Sequence, residues 1–250
     1  MAENKIHLAV ILGDGVGHDI LPVSTQVVTE AAAACGVEVT HEVFGYGAQR
    51  YVEEGTPLPE DVPALVHDLA DKHDAIMFGS AGDDPRVPAG INCRDLLVGL
   101  RWELDLFVNL RPASLLDHRF CPLKKDVPID LVVVRENTEG VNVRMGGNFK
   151  KGTTDEVAIQ EDINTYKGVE RICRYAFEYA RSHGYSKVTM ADKHVSLIHA
   201  HGLWQRVFWQ MSEEFPDIEG EHYFIDTLCM DLVQFPEHFG VIVTNNMYGD

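Results

Sequence analysis

The chain has 250 residues, 45% of them hydrophobic, enough to bury the core of one or two domains. Its 39 Asp and Glu against 21 Lys and Arg leave a formal net charge of −18, which argues against nucleic acid or an anionic membrane as a partner. Five dispersed cysteines without a CxxC or metal spacing read as reduced core thiols, and no signal-peptide layout or membrane-length apolar run is present, so a soluble, cytoplasmic protein is expected.

In chain order, β-branched runs alternate with amphipathic ones. Residues 6–12 read as a strand and Gly13-Asp14-Gly15-Val16-Gly17 as a glycine-rich turn. Residues 19–35 then read as a helix with Ile20, Val23, Val27 and Ala31 on one face and Pro22 in its first turn. The turn is not GxGxxG, and an aspartate stands where a bare backbone should approach pyrophosphate. A tight strand-to-helix turn is therefore expected in place of a dinucleotide fingerprint. A strand at 37–43, a helix at 59–71, a buried strand at 74–79 and a helix at 94–105 follow. Further strands are expected at 130–134, 187–191 and 240–244, with helices at 165–183, 201–214 and 226–234. Such alternation predicts an α/β fold with helices on a largely parallel sheet. Residues 143–160, with Gly146-Gly147 and Gly152-Thr153-Thr154, are less periodic and read either as a protruding hairpin arm that could pair with a second chain or as a loop covering the sheet.

Three arginines stand at the edges of apolar segments: Arg101, Arg111 and Arg135, the last directly after Leu131-Val132-Val133-Val134. Each alone reads as a snorkelling or ion-paired surface residue. Converging, their rigid donor forks would hold a di- or tricarboxylic acid, against the field of an acidic protein. Lys193, just past the strand ending at 191, is placed to reach into a crevice at the strand's carboxyl end. A lysine partly desolvated beside arginines could take a proton from a hydroxyl, whereas a solvated lysine at a strand end is the plainer reading. Asp226 and Asp250 are hard oxygen ligands suited to Mg²⁺ or Mn²⁺, although Asp226 alone also reads as a helix N-terminal charge. His194, His199 and His201 raise zinc, but no spacing of metal-ligand type accompanies them.

Taken together and in order, Gly13 to Gly17, Leu100-Arg101 through Leu110-Arg111-Pro112, Arg135-Glu136-Asn137-Thr138-Glu139-Gly140, Asp192-Lys193 and Asn246-Met247-Tyr248-Gly249-Asp250 resemble the β-decarboxylating dehydrogenases, the isocitrate/3-isopropylmalate dehydrogenase family. Gly146-Gly147 and the run from Gly152 to Gln160 are similar to the tartrate/D-malate branch. The resemblance implies an isopropylmalate dehydrogenase-like fold: two α/β domains with a dimerisation arm, not a usual Rossmann fold. It places part of a large domain at residues 1–106 and a small domain at 107–250, with the arm near 143–160.

It implies, further, an NAD- or NADP-dependent and Mg²⁺- or Mn²⁺-dependent enzyme that oxidises and decarboxylates a 2-hydroxy acid bearing a β-carboxylate. Arg101, Arg111 and Arg135 would bind the carboxylates, Lys193 would be the base on the hydroxyl, and Asp226 and Asp250 would be metal ligands. A homodimer is implied, with active sites shared between subunits. Leu97 and Val98 fall at the positions facing the variable substituent, and apolar residues there argue against isocitrate, since a third carboxylate wants a polar partner.

The sequence departs from the family pattern in three places. Asn142 stands where a tyrosine is expected to protonate the enol, and an amide is no general acid at neutral pH. Val195 replaces an asparagine expected near the nicotinamide. The chain stops at Asp250 within the metal motif, which reads as a fragment or a degenerate paralogue. A non-catalytic or regulatory subunit is therefore the alternative expectation, opposed by the retained arginines, Lys193 and both aspartates.

Overall fold

The computed structural model describes residues 4–82, 84–125 and 127–250. The chain divides into two units, one ending at Asp105 and one spanning Leu106–Asp250.

In the first unit, β1 (Lys5–Gly13) runs at the centre of a parallel sheet, flanked by β2 (Glu38–Phe44) and β3 (Ala75–Ser80) in the order β2-β1-β3. The period-two alternation of β1 sends its apolar residues to both faces. Ala9 and Ile11 join Val66, Leu69, Cys93, Leu96 and Leu100 from α3 (Val62–Lys72), α4 (Arg94–Glu103) and the residue preceding α4. Leu8 and Val10 meet Leu21 of α1 (Gly17–Ala34) on the opposite side. A short helix, α2 (Ala48–Glu54), follows β2. α3 is started by Asp61, whose side chain accepts a hydrogen bond from the Ala64 N–H at 2.9 Å, a cap worth about 1 kcal/mol.

Three expectations for this unit are corrected. α1 buries Gly17, Leu21 and Thr25, an i, i+4, i+8 stripe, while Ile20, Val23 and Val27 face outward at 50%, 62% and 60% exposure. Burial here follows the contact stripe, not the largest side chains. Because the helix already starts at Gly17, Pro22 lies inside it beyond the first turn, at an exposed position. Among the described residues β3 pairs with β1 alone, and it is half-buried where a buried strand was expected.

The second unit is a five-stranded sheet in the order β4-β5-β10-β8-β9, built from β4 (Val108–Ser114), β5 (Asp130–Glu136), β8 (Lys187–Asp192), β9 (Glu219–Phe224) and β10 (Val241–Thr244). All neighbours are parallel except β4, which pairs antiparallel with β5. α5 (Tyr166–His183) and α6 (Ala200–Glu214) cover one face, where Phe177, Trp204 and Phe208 pack on Val132, Val134, Val188, Met190, Val241 and Val243. α7 (Ile225–Gln234) contributes Leu228 to the other face with Leu131, Ala191, Phe239 and Ile242. Fully burying a side chain of this size contributes roughly 1.5–3 kcal/mol, so this two-sided core is what holds the strand ends in register. Outside it stands an antiparallel hairpin, β6 (Gly146–Phe149) with β7 (Val157–Gln160), whose residues are all exposed. The segment is thus an exposed hairpin and not an irregular covering loop.

The cysteines correct another expectation. Cys93 and Cys173 are buried, where burial pushes both thiols up, but Cys35 and Cys229 are exposed and Cys121 is intermediate. All five are free, and none of the described helices is long and apolar enough to cross a membrane.

Candidate active site

In the first unit the glycine-rich turn is a structural junction. Asp14 is 1% exposed, and its carboxylate accepts the N–H groups of Ala48, Gly82 and Cys93 at 2.8, 3.2 and 3.0 Å. Those bonds tie together the start of α2, the loop after β3 and the residue preceding α4. A Cβ at Gly13 would lie 2.1 Å from the Ser80 carbonyl oxygen, and the residue adopts φ +72°, so only glycine fits. The carboxylate is thus consumed internally, in line with a tight turn and not a phosphate cradle. On α4, Leu97, Val98 and Arg101 are half-buried beside the fully packed Leu96 and Leu100. Leu97 and Arg101 are four apart and share a helix face.

In the second unit the candidate residues gather at the carboxyl ends of the parallel strands, the edge where open α/β sheets bind ligands. Arg135 is the penultimate residue of β5, with its side chain only 3% exposed. Its Nε donates to the Asn246 carbonyl at 2.8 Å, Nη2 to Asn246 Oδ1 at 2.7 Å and Nη1 to Asp250 Oδ1 at 2.8 Å. Arg111, two-fifths exposed on the edge strand β4, donates from Nη2 to the same Asp250 oxygen at 3.0 Å, and its Nε is held by Asn109 Oδ1 at 3.0 Å. Two guanidinium groups therefore converge on one carboxylate oxygen. Gly249 lets the chain pass over Arg135, because a Cβ there would lie 2.5 Å from Arg135 Cγ.

Asn246 is fully buried behind this pair. Its Oδ1 also accepts Asn142 Nδ2 at 2.6 Å, while its own Nδ2 is buried with no hydrogen-bond partner. The Arg135 donor fixes which end of the amide is oxygen, so the orphan is a donor, suited to an oxygen of a bound anion. The loop after β5 is knitted by Glu136, which accepts the N–H groups of Thr138 and Glu139, both at 2.8 Å. Burial nevertheless pushes the Glu136 carboxyl upward.

A second cluster follows β8 and β9. Lys193 forms an ion pair with Asp226, at the start of α7, and that hydrogen bond holds the Asp226 carboxyl below its usual range. The register Asp192↔Phe224 aligns the two strand ends and brings the pair together. Lys193 is placed from behind by His201, whose Nδ1 accepts the Lys193 backbone N–H at 2.7 Å. Burial keeps His201 below its ordinary pKa. Burial alone would raise the Asp192 carboxyl, but His222, the His194 N–H and Gln205 together hold it low. Tyr248 stands close enough to Lys193, Asp226, Asp162 and Asp192 to feel their charges, with burial the main cause of its raised pKa.

The structure therefore joins Arg111, Arg135 and Asp250, with Asn142 attached through Asn246, and separately joins Lys193 to Asp226. Leu97 and Arg101 belong to the first unit, and Val195 stands 61% exposed after β8. Asp226 and Asp250 are accessible hard carboxylates at one sheet edge, a donor set whose chemistry fits Mg²⁺ or Mn²⁺. Among the described residues they form part of no three-ligand group within one chain, and neither do His194, His199 and His201. The sequence reading missed Asn246, Tyr248 and the supporting role of His201. Asn246 and Tyr248 were named there only as part of the motif ending at Asp250, and His201 only as a candidate zinc ligand.

The model of the isocitrate/isopropylmalate dehydrogenase family matches residues 7–250. The chain belongs to this family. It is 40% identical over 243 residues to 3-isopropylmalate dehydrogenase of Bifidobacterium longum subsp. infantis, covering 97% of this chain and 69% of that protein. It is 39% identical over 252 residues to 3-isopropylmalate dehydrogenase of Thermobifida fusca, covering 100% and 70%. Among solved structures, isocitrate dehydrogenase from Methylococcus capsulatus superposes with a TM-score of 0.79 at 32% identity, covering 98% of this chain and 68% of that one. The fold is that of the family, and the protein is an enzyme of the decarboxylating dehydrogenase class. These relatives bear no tartrate dehydrogenase name, so they lend the tartrate/D-malate expectation no support.

Proposed function

We propose that the protein oxidises and decarboxylates a 2-hydroxy acid with a β-carboxylate, in the manner of 3-isopropylmalate or malate. The observation carrying this reading is the convergence of Arg111 and Arg135 on one carboxylate oxygen, at the same sheet edge as the Lys193–Asp226 pair. The Asp250 carboxylate marks where two donor forks can act on an anion, and a substrate carboxylate would compete for the same donors. Arg101 is proposed to hold a carboxylate as well, with Leu97 and Val98 forming an apolar wall for the variable substituent. Such a wall separates substrates differing by one methylene by only about 1–3 kcal/mol.

Lys193, as the neutral amine, is proposed to accept the hydroxyl proton as hydride leaves the carbon, and Asp226 orients the ammonium that this transfer forms. Asp226 and Asp250 would hold Mg²⁺ or Mn²⁺. When bound, that ion supplies a Lewis acid at the hydroxyl and carbonyl oxygen, and NAD or NADP supplies the hydride acceptor. Val195 would face the nicotinamide with no polar contact to offer. Asn142 donates to Asn246 and has no proton of suitable acidity, so enol protonation falls to water or to another group such as His194.

The exposed hairpin suits a shared site in a homodimer. Phe149, Val157 and Ile159 present apolar surface on a two-stranded sheet that is marginal alone. A non-catalytic subunit is the weaker reading, since Arg111, Arg135, Lys193 and both aspartates are retained. The test is turnover of 3-isopropylmalate, D-malate, tartrate and isocitrate with each nicotinamide cofactor and Mg²⁺ or Mn²⁺. Reduction of cofactor with CO₂ release from one of the first three supports the reading; no turnover of any sinks it.

A further inference from the structure

The first unit carries a cluster that the dehydrogenase chemistry does not use. His7 of β1, Glu42 of β2 and His73, the residue that ends α3, each place one potential metal-ligand atom within 4.8 Å of the others. The sheet explains the juxtaposition. His7 lies opposite Thr40 in the β1–β2 register, and Glu42, two residues on, points to the same face. That face is the one where Ala9 and Ile11 pack under α3, so the end of α3 delivers His73 directly onto it.

Both imidazoles are already oriented. His73 has a side chain 1% exposed, and its Nδ1 meets the Leu69 carbonyl at 2.9 Å. A carbonyl accepts only, so Nδ1 carries the proton and Nε2 of the neutral ring keeps its lone pair. That Nε2 is buried with no hydrogen-bond partner, and the Glu42 carboxylate oxygen lies 3.6 Å away, beyond hydrogen-bond reach. His7 is positioned similarly: its Nδ1 meets Thr40 Oγ1 at 2.8 Å, which leaves Nε2 available. The two rings stack at 4.7 Å between centroids. An imidazole with one nitrogen tied to a backbone carbonyl or hydroxyl and the other presented bare is the outer-shell pattern of metal-binding histidines. A buried ring nitrogen without a hydrogen-bond partner is otherwise rare.

We infer that His7, His73 and Glu42 form a binding site for a borderline transition-metal dication, Zn²⁺ in preference to Mg²⁺ or Mn²⁺. Two nitrogens and one carboxylate suit zinc and cobalt, whereas magnesium demands oxygens. With bonds of about 2.0–2.1 Å, tetrahedral ligand atoms lie roughly 3.3 Å apart, so the ligands close in by about an ångström and a half. His7, the less buried ring, turns out of the stack to do so. Glu42, 58% exposed, provides the open side for entry and for a fourth, water ligand. Bound there, the ion ties β1 and β2 to the end of α3, remote in sequence from every residue of the proposed dehydrogenase machinery.

The test uses the purified protein stripped with a chelator, with Co²⁺ as the spectroscopic probe and Zn²⁺ as competitor. The expected result is one tight Co²⁺ whose visible absorption is abolished by Zn²⁺ but not by excess Mg²⁺. Glu42→Gln and His7→Gln should each weaken it by more than about tenfold, while Asp226→Asn leaves it unchanged. Glu42 is exposed, so its variant keeps the fold and separates lost ligation from unfolding. No tight Co²⁺ in the unaltered protein, or uptake in Glu42→Gln and His7→Gln equal to that of the unaltered protein, overturns the site.

Discussion

Arg135 and Arg111 reach the same carboxylate oxygen from different surroundings, so replacing each by lysine should separate binding from stability. In Arg135→Lys the charge stays, but a single ammonium cannot span the Asn246 carbonyl, Asn246 Oδ1 and Asp250 at once. The Asn246 carbonyl is then left buried and unpaired, while Asn246 Oδ1 keeps only the Asn142 amide, and an unpaired buried acceptor costs about 1–3 kcal/mol. For a unit of this size that lowers Tm by roughly 2–10 °C. Losing one charge-assisted bond to a substrate carboxylate is worth about 1.5–3 kcal/mol, or roughly a 10- to 150-fold rise in KM. Arg111→Lys loses its own fork, but on an edge strand and half in solvent, so stability should change by no more than about 0.5 kcal/mol. Its KM should still rise by about tenfold or more. Thermal unfolding and steady-state kinetics on both variants check this. Unchanged KM in either variant removes that arginine from the site; an equal loss of Tm in both refutes the division of roles.

Lys193→Ala should lower kcat by about 10²- to 10⁴-fold with substrate binding, read by calorimetry, within a few-fold of the parent. If Asn142 marks a missing acid, Asn142→Tyr should speed ketone release measured after single turnover; no change would point to another donor. The buried His201 resists protonation in the folded state, while its unfolded counterpart takes up a proton below about pH 6.5. The unfolded state thus binds more protons as pH falls, and stability should decline from about pH 6.5 downward. His201→Asn should flatten that decline in Tm measured between pH 7.5 and 5.5, values chosen to bracket the unfolded pKa. A slope unchanged in the variant would assign the acid sensitivity elsewhere.

Much of the second unit was legible because its strands are self-declaring. Leu131 to Val134 and Val241 to Val243 are continuous apolar runs, which only a strand covered on both faces can bury. β4 and β9 escaped notice for the complementary reason. β4 is an antiparallel edge strand containing Arg111 and Pro112, and β9 reads Glu-Gly-Glu-His-Tyr-Phe, so neither carries an apolar signature. α1 shows the limit of periodicity: the pattern found a helix, but its valines face outward and Gly17, Leu21 and Thr25 are the residues it buries. The glycine-rich turn was read for its glycines, while the carboxylate of Asp14 does the tying, with donors 34, 68 and 79 residues away. For the site, resemblance supplied residue types and roles. It could not supply the pairing of Lys193 with Asp226 or the placing of Asp250 between two arginines, because these depend on which strands become neighbours. His7, Glu42 and His73 were illegible for the same reason, since only strand register and the end of α3 bring them together.

The most direct test of the central claim is the deuterium isotope effect on kcat/KM for 3-isopropylmalate labelled at the carbinol carbon, followed across pH in the parent protein and in Lys193→Arg. The expected result is hydride transfer in the parent that rises with pH as one group loses a proton, and a variant that binds substrate yet has lost both the rate and that titration. A variant that keeps the parent's rate and pH profile would contradict the assignment of Lys193 and, with it, the site at the carboxyl ends of these strands.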